Sequence, residues 1–372
     1  MNATVTRTKF FIDNVERALA PQVVYDEGGM KEMIVREPLG LVANISAWNY
    51  PFFVGTNVLV PALLTGNAVL YKPSEYSSMT GLNIVEMLHQ AGFEHAVQSV
   101  IGGGQVGAHI LKSGINGVFF TGSYATGKKI AETVAGDMIK VQLELGGKDP
   151  VYVHSDADAK NAAEGLADGA MYNTGQSCCS VERIYVHKSI AKQFIEHFVQ
   201  TVDSFKMGDP LDKSTYIGPL TRAAQLDVLD AQVKDALAKG AKLLRGGKRV
   251  ANSPGNFYEP TVLVNVNNSM EVMKEESFGP IIGIQEVSSP EEATTLMNDS
   301  VYGLTAGVFT KDEKIAMQVL GNVNSGTAYW NCCDRVSPRL PWSGRGHSGV
   351  GLTLSLEGIT TFTQPKAYHL RK

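Results

Sequence analysis

Residues 117–127 read Gly-Val-Phe-Phe-Thr-Gly-Ser-Tyr-Ala-Thr-Gly. Gly117 to Phe120 is an apolar run of strand length, and a helical pattern runs from Thr126 to Val134. The turn Thr121-Gly122-Ser123 therefore joins a strand to a helix N-terminus. Such a junction presents backbone N–H groups and the positive end of a helix dipole, which suits a phosphate. The same alternation repeats outward on both sides. Leu39 to Ala47 reads as a buried strand, Val54 to Leu64 as an apolar helix and Ala68 to Tyr71 as a strand. Ser78 to Ala91 is a helix stopped by Gly92, Val97 to Ile101 a strand, Val106 to Lys112 a helix and Ile139 to Leu143 a strand. Alternation at this spacing predicts an α/β fold: a parallel sheet covered by helices on both faces, binding its ligand beyond the carboxyl ends of the strands.

After Pro150 the alternation resumes. A helix from Ala159 to Tyr172 runs into Asn173-Thr174-Gly175-Gln176-Ser177-Cys178-Cys179, which puts a thiol on a glycine-hinged turn before a strand at Ile184 to His187. Ile190 to Phe205 places Ile190, Phe194, Phe198 and Val202 on one helical face. Gln225 to Lys239 does the same with Leu226, Leu229, Val233 and Leu237 and ends at Gly240. Thr261 to Val266 alternates as a strand. These predict a second α/β domain carrying the thiol. Met30 to Arg36 and Ile359 to Leu370 are short, polar and β-prone, and are expected to pair as an arm outside both cores, which favours oligomers.

The 372 residues are enough for two or more cores. A net charge of -4 argues against a nucleic-acid footprint or an anionic-membrane binder. The most apolar region, Pro51 to Leu70, is interrupted by Gly55, Asn57, Pro61, Gly66 and Asn67 and does not read as a membrane span. The opening residues, Met1 to Phe11, show no signal-peptide pattern. The four cysteines form two adjacent pairs, Cys178-Cys179 and Cys332-Cys333, with neither metal spacing nor a disulfide framework. A cytoplasmic protein without a metal is expected.

Glu144-Leu145-Gly146-Gly147-Lys148 puts a carboxylate at a strand end, so Cys178 and Glu144 are a candidate nucleophile and base on separate glycine loops. A lone cysteine is more often a small buried hydrophobe. Gly102-Gly103-Gly104-Gln105-Val106-Gly107 has dinucleotide-fingerprint spacing, but no acidic residue ends a following strand at the required distance, and it reads as a glycine turn. Lys72-Pro73-Ser74-Glu75 closes another strand, where a lysine and a carboxylate would suit the two hydroxyls of a ribose.

Ile45 to Phe52 (ISAWNYPF), Lys72 to Glu75 (KPSE), Phe120 to Ser123 (FTGS), Glu144 to Lys148 (ELGGK), Gly175 to Cys178 (GQSC) and Glu275 to Pro280 (EESFGP) stand in the order and rough spacing of one family. From about Met30 to its end the chain resembles the aldehyde dehydrogenase superfamily. The resemblance implies a Rossmann-like cofactor domain, an α/β catalytic domain and a β-hairpin oligomerisation arm. In those terms residues 39–146 bind NAD and 147–350 are catalytic. Residues 21–38 with 359–372 form the arm, and 1–20 are the remnant of a longer helical part of the cofactor domain. Cys178 would be the nucleophile, Glu144 the general base and Asn49 the oxyanion amide. Lys72 and Glu75 would hold the adenosine ribose, helped by Gln225, with Trp48, Gly122 and Ser123 near the phosphates. Glu276 would hold the nicotinamide ribose, with Phe278 beside the nicotinamide. The Glu75 carboxylate would repel a 2′-phosphate, so NAD is favoured over NADP. Thiolate attack on an aldehyde, hydride loss to NAD and hydrolysis of the thioester would yield a carboxylate.

Three departures qualify the resemblance. The family carries a longer segment before the arm. Many members place a lysine where Val58 stands and a glutamate within the stretch occupied by Leu352-Thr353-Leu354-Ser355, so the proton exit from Glu144 is in question. Ser177 precedes the nucleophile at a variable position of the substrate pocket. Tyr329, Trp330 and Trp342 would add aromatic walls, and Pro341-Trp342-Ser343-Gly344 resembles the betaine- and amino-aldehyde members. Aromatic rings would hold an alkylammonium by cation–π contact. The preferred reading is ordinary core or the wall of any apolar-aldehyde pocket. Arg335, Arg339 and Arg345 are either structural or receivers of an acidic aldehyde. The expected partners are a small aldehyde and identical subunits, as a homodimer or homotetramer. Two other readings stay open: a thiol esterase that uses Cys178 and Asn49 without cofactor turnover, and an inactive family member acting in binding or assembly.

Overall fold

The computed structural model describes residues 2–333 and 335–371, which form two compact units. The first gathers Met1–Leu145, Val336–Ser343 and Gly349–Lys372, and the second Gly146–Arg335 and Gly344–Ser348. The first begins with α1 (Asn2–Leu19), β1 (Gln22–Glu27) and β2 (Met30–Pro38). It continues through β3 (Leu41–Ile45), α2 (Pro51–Leu64), β4 (Ala68–Lys72), α3 (Ser78–Leu88) and β5 (Val97–Ser99). Then come α4 (Gly104–Ile110), β6 (Gly117–Thr121), α5 (Tyr124–Val134) and β7 (Lys140–Glu144).

β3 to β7 form a parallel sheet in the order β7-β6-β3-β4-β5. The chain leaves the central β3 toward β4 and β5, then crosses back to β6 and β7. That reversal falls between β3 and β6, whose carboxyl ends are where sheets of this kind bind ligands. Successive strand residues point to opposite faces. Val42 and Phe119 join Val58, Leu59 and Ile84 in one core, while Ala43, Val118 and Phe120 join Ile110, Ile130 and Leu143 in another. Burial on both faces explains why these strands read as unbroken apolar runs.

The second unit runs β8 (Asp149–Val153), α6 (Ala159–Met171), β9 (Val181–His187), α7 (Ala191–Ser204), α8 (Ala224–Ala238), β10 (Lys242–Arg245) and β11 (Thr261–Val264). After α9 (Glu271–Lys274) come β12 (Ile281–Val287), α10 (Pro290–Asn298), β13 (Tyr302–Gly303), β14 (Thr305–Phe309), α11 (Glu313–Asn322), β15 (Thr327–Trp330) and β16 (Arg345–Gly346). Its sheet has the order β10-β11-β12-β9-β8-β14-β15, and every pair but β10–β11 is parallel. Phe194, Phe198 and Val202 of α7 are fully buried on one face of it, as their spacing predicts.

β17 (Gly349–Val350), α12 (Ser355–Thr360) and β18 (Thr363–Arg371) return to the first unit. β17 pairs with β7, placing Gly349 opposite Glu144. β18 pairs antiparallel with β2 from Thr363–Pro38 to Arg371–Met30, so the two predicted arm segments do meet, with β1 completing a three-stranded sheet. The strand starts later than its β-prone sequence suggests. Ile359 belongs to α12, and Phe362 stacks on Phe119 at 4.3 Å between ring centres, so both serve the first core. Among the described residues no helix is long and apolar enough to cross a membrane.

Candidate active site

α6 ends at Met171, and Asn173, Thr174 and Gly175 follow at φ 51°, 59° and 70°. Two consecutive non-glycine residues in the left-handed region are costly, and such conformations persist only where surrounding bonds fix them. Here they are fixed. The Asn173 side chain donates to the Gln176 carbonyl at 3.1 Å, and the Gln176 amide donates back to the Asn173 carbonyl at 3.1 Å. Thr174 Oγ1 accepts from the Gly218 N–H at 3.0 Å, and Gln176 Oε1 from the Thr221 N–H at 2.9 Å. Gly175 is obligatory, since a Cβ there would lie 2.2 Å from the Gly279 carbonyl oxygen. Of the seven residues Thr174–Ser180, only Cys178 is not buried. Cys179 is 5% exposed, its Sγ 3.5 Å from Ser177 Oγ and 3.7 Å from the Tyr172 hydroxyl. The loop therefore presents one thiol and hides the other.

Cys178 precedes β9, Gly147 and Lys148 precede β8, and Glu276 and Phe278 precede β12, so all lie at the amino edge of three neighbouring strands. Close approach explains the two glycines before Lys148. A Cβ on Gly146 would meet the Glu276 carboxylate at 2.4 Å, and one on Gly147 would meet the Cys178 carbonyl at 2.6 Å. The three motifs are thus wedged together. Beneath them Lys148 Nζ, fully buried, donates to Glu182 at 2.5 Å and to Ser277 Oγ at 3.0 Å. Glu182 also accepts from the N–H groups of Ser277 (2.8 Å) and Phe278 (3.1 Å), which holds Phe278 at φ 46°. Gln232 accepts from Ser277 Oγ at 2.7 Å. Gln225 donates to the Ser277 carbonyl at 2.6 Å, which seats it beside the Glu276–Phe278 turn. Burial, and then the charge of Glu182, push the Glu276 carboxyl up to about 8 against the opposing Gly147 N–H bond of 3.1 Å.

In the first unit the remaining candidates stand in a row. β4, β3, β6 and β7 are adjacent, and neighbouring strands lie about 4.8 Å apart. Their carboxyl ends carry, in that order, Lys72 and Glu75; Trp48 and Asn49; Gly122 and Ser123; and Glu144. Lys72 is 4% exposed, its Nζ 3.8 Å from the Glu75 carboxylate. Burial lowers its pKa and Glu75 opposes the change. Ser123 caps α5, accepting from the Thr126 N–H at 3.4 Å. Trp48 meets Tyr76 edge-on at 6.4 Å. Asn49 lies on the turn that enters α2, which starts with a proline at its first turn. Glu144, partly exposed, accepts from Gln142 Nε2 at 3.1 Å and from the Thr353 hydroxyl. Burial pushes its carboxyl up to about 7, and the Thr353 bond, the Arg7 charge and the Gln142 bond oppose that rise.

The sequence profile of the aldehyde dehydrogenase family matches residues 1–368. The chain belongs to the aldehyde dehydrogenase family. It is 36% identical over 348 residues to a betaine aldehyde dehydrogenase of Brucella melitensis, covering 92% of this chain and 72% of that protein. An NAD-dependent aldehyde dehydrogenase from Sinorhizobium meliloti superposes with a TM-score of 0.96 at 32% identity, over 99% of this chain and 74% of that one. An indole-3-acetaldehyde dehydrogenase solved with NAD+ superposes with a TM-score of 0.96 at 31% identity, over 99% of this chain and 76% of that one.

In this aldehyde dehydrogenase the aromatic candidates do not share one face. Tyr329 is 6% exposed, whereas its neighbour Trp330 is 39% exposed and donates its indole N–H to the Thr310 carbonyl at 2.9 Å. Consecutive strand residues must diverge in this way. Trp342, in the first unit, pairs through its backbone with Thr353 at 2.8 and 2.9 Å, beside Glu144. Ser177 is 2% exposed, its hydroxyl accepting from Tyr172. Sequence reading leaves Lys148, Glu182, Gln232 and Thr353 without a role, yet their side chains bond to Glu144 or to the turn that carries Glu276 and Phe278. Lys148 closes a quoted stretch and Glu182 lies three residues beyond Cys179, but the ion pair between them shows only in the folded chain. Nothing near Arg7 in sequence points to Glu144.

Proposed function

We propose that Cys178 is the nucleophile, Asn49 the oxyanion donor and Glu144 the general base of an enzyme that oxidises an aldehyde to a carboxylic acid with NAD. The observation that carries this reading is the single accessible thiol of the 174–180 loop, on a residue whose backbone carbonyl packs against Gly147 while the adjacent Gly146 packs against Glu276. The Cys178 sulfur forms a bond to the aldehyde carbon, and the negative charge moves to oxygen, where the Asn49 amide and the Cys178 N–H receive it. Bound NAD supplies the hydride acceptor that makes the adduct a thioester. Glu144 then takes a proton from water as the water oxygen attacks the carbonyl; the carbon–sulfur bond breaks and Cys178 leaves as thiolate. An esterase without cofactor turnover would leave the row of cofactor-type residues on the first sheet without a use.

The first unit suits a dinucleotide. Its strand-order reversal falls between β3 and β6, the α5 N-terminus follows β6, and Lys72 and Glu75 offer a cation and a carboxylate at the end of β4. Lys72, Glu75 and Gln225 would serve the adenosine half, Trp48, Gly122 and Ser123 the phosphates, and Glu276 and Phe278 the nicotinamide half. We assign cofactor binding to residues 39–146 and the thiol chemistry to 147–350. Tyr329, Trp342 and Ser177 are the proposed substrate-side groups, with Trp330 at the rim. NADH formation with betaine aldehyde, propionaldehyde, benzaldehyde and succinic semialdehyde, using NAD and NADP in parallel, tests the activity. Failure with every aldehyde would overturn it. Glu75→Ala is expected to narrow the preference for NAD over NADP by about tenfold, since one removed charge contact is worth roughly 1.4 kcal/mol; an unchanged ratio would put the selectivity elsewhere.

We also propose a cytoplasmic homodimer or homotetramer built through residues 21–38 and 359–372. All six residues of β1 are exposed, with Val23, Val24 and Tyr25 at 51%, 58% and 40%. Sedimentation of a Val23→Lys, Val24→Glu double variant is expected to show a smaller species than the parent. Identical sedimentation would contradict that assignment.

A further inference from the structure

Glu144 ends β7, and β17 runs antiparallel against it, with Gly349 opposite Glu144 and Val350 opposite Leu143. The approach is close: a Cβ on Gly349 would lie 2.0 Å from the Leu143 carbonyl oxygen. Thr353 follows, 2% exposed, and its backbone is pinned on both sides. Its N–H donates to the Trp342 carbonyl at 2.9 Å, and its carbonyl accepts from the Trp342 N–H at 2.8 Å. Leu354 and Ser355 then turn at φ 62° and 58°. Successive left-handed residues that lack the freedom of glycine persist only where neighbouring bonds enforce them. Here the Ser355 N–H is held by the Pro338 carbonyl at 2.8 Å. The side chain that this path delivers to β7 is that of Thr353, whose hydroxyl donates to Glu144 Oε1. Gln142, two residues before Glu144 and so on the same face of the strand, donates its amide to the same oxygen at 3.1 Å. Oε1 carries both bonds, and Oε2 carries neither.

We propose that Thr353 is a positioning residue for thioester hydrolysis: together with Gln142 it anchors Oε1 of Glu144 and so makes Oε2 the oxygen that takes the proton from water. This role rests on Glu144 being the general base. A glutamate side chain turns about three bonds, whereas a base must stand within hydrogen-bond reach of one water. Two donors on one oxygen remove that freedom and leave the other oxygen for the reaction. The O–H bond of water then breaks toward Oε2 as the water oxygen bonds to the thioester carbon. Thr353 does not ionise in the working pH range, so it does not store the proton that Glu144 collects. It fixes where the carboxylate stands. Both anchors donate, and a hydrogen bond given to a carboxylate favours its ionised form. The charge that bears on Glu144 from a neighbouring helix is that of Arg7 on α1, which every variant below keeps. Because the base acts after hydride transfer, Thr353 should govern hydrolysis and not the first formation of NADH.

The test reads both halves of the reaction across pH, with betaine aldehyde or propionaldehyde, whichever turns over faster. First-turnover NADH is followed by stopped-flow absorbance, and decay of the acyl group on Cys178 by rapid quench. Thr353→Val is expected to slow hydrolysis roughly tenfold at its high-pH plateau and to move the acidic limb up by about half a pH unit, with first-turnover NADH within about twofold of the parent. Thr353→Ser, which keeps the hydroxyl, should restore both the plateau and the limb. Gln142→Met, which removes the other donor, should slow hydrolysis in the same selective way and carries the test if Thr353→Val does not fold. Hydrolysis within twofold of the parent, a loss shared equally with hydride transfer, or no rescue by Thr353→Ser would overturn the proposal and leave Thr353 as a structural contact. Glu144→Gln in parallel separates the two readings. Undiminished hydrolysis there would remove the general base, and this role with it; diminished hydrolysis there beside normal hydrolysis in Thr353→Val and Gln142→Met would keep the base and reject only the anchor.

Discussion

Cys178→Ala is expected to lower NADH formation by about 10⁴-fold or more while leaving NAD affinity within about twofold of the parent. The size of the effect follows from the loop. Cys178 is the accessible member of the pair, whereas Cys179 is buried with its sulfur facing Ser177 and Tyr172. The neighbouring thiol therefore cannot take over without rebuilding a segment that Gly175 and the bonds to residues 218–221 hold in place. Cys179→Ala is the matched control and should keep most of its dehydrogenase activity. Substantial turnover by Cys178→Ala, or its loss in Cys179→Ala with the fold intact, would reverse the assignment.

Glu144→Gln should separate the two halves of the reaction. Hydride transfer precedes the step in which the base acts, so the variant is expected to form NADH once per site and then stall. Steady-state turnover should fall by roughly 10²–10⁴-fold, the usual contribution of a general base. The parent has its own pH signature. Burial raises the Glu144 carboxyl to about 7, so the base is ionised above that pH and protonated below it. Hydrolysis should be flat above about pH 7 and fall tenfold per unit below it, and the Gln variant should lack this limb. A variant with no first-turnover NADH would instead place Glu144 in the hydride-transfer half.

Much of the fold was legible because a parallel sheet buried on both faces writes its strands as apolar runs, and glycines mark the turns between them. The order of Lys72, Asn49, Ser123 and Glu144 along the sheet was not legible. It depends on the crossover from β5 back to β6, which strand alternation alone does not specify. The glycines of the Glu144–Lys148 motif were visible as a string, but their reason lies in the approach of Glu276 and the Cys178 carbonyl. Tyr329 and Trp330 read as a pair because they are adjacent, although the two-residue period of a strand separates them. The stretch Leu352–Ser355, which puts the proton exit in question, supplies Thr353 as a direct donor to Glu144, a contact its sequence does not announce. Ile359 and Phe362 were read as strand because apolar β-prone residues fit a core helix end equally well. Arg7 carried no local signal at all.

The most direct test of the central claim is peptide mass spectrometry of Glu144→Gln quenched in acid after mixing with NAD and propionaldehyde. The predicted result is a propionyl group on the peptide containing Cys178, present only when NAD is added. An acyl group on Cys179, Cys332 or Cys333, or none while NADH has formed, would contradict the account.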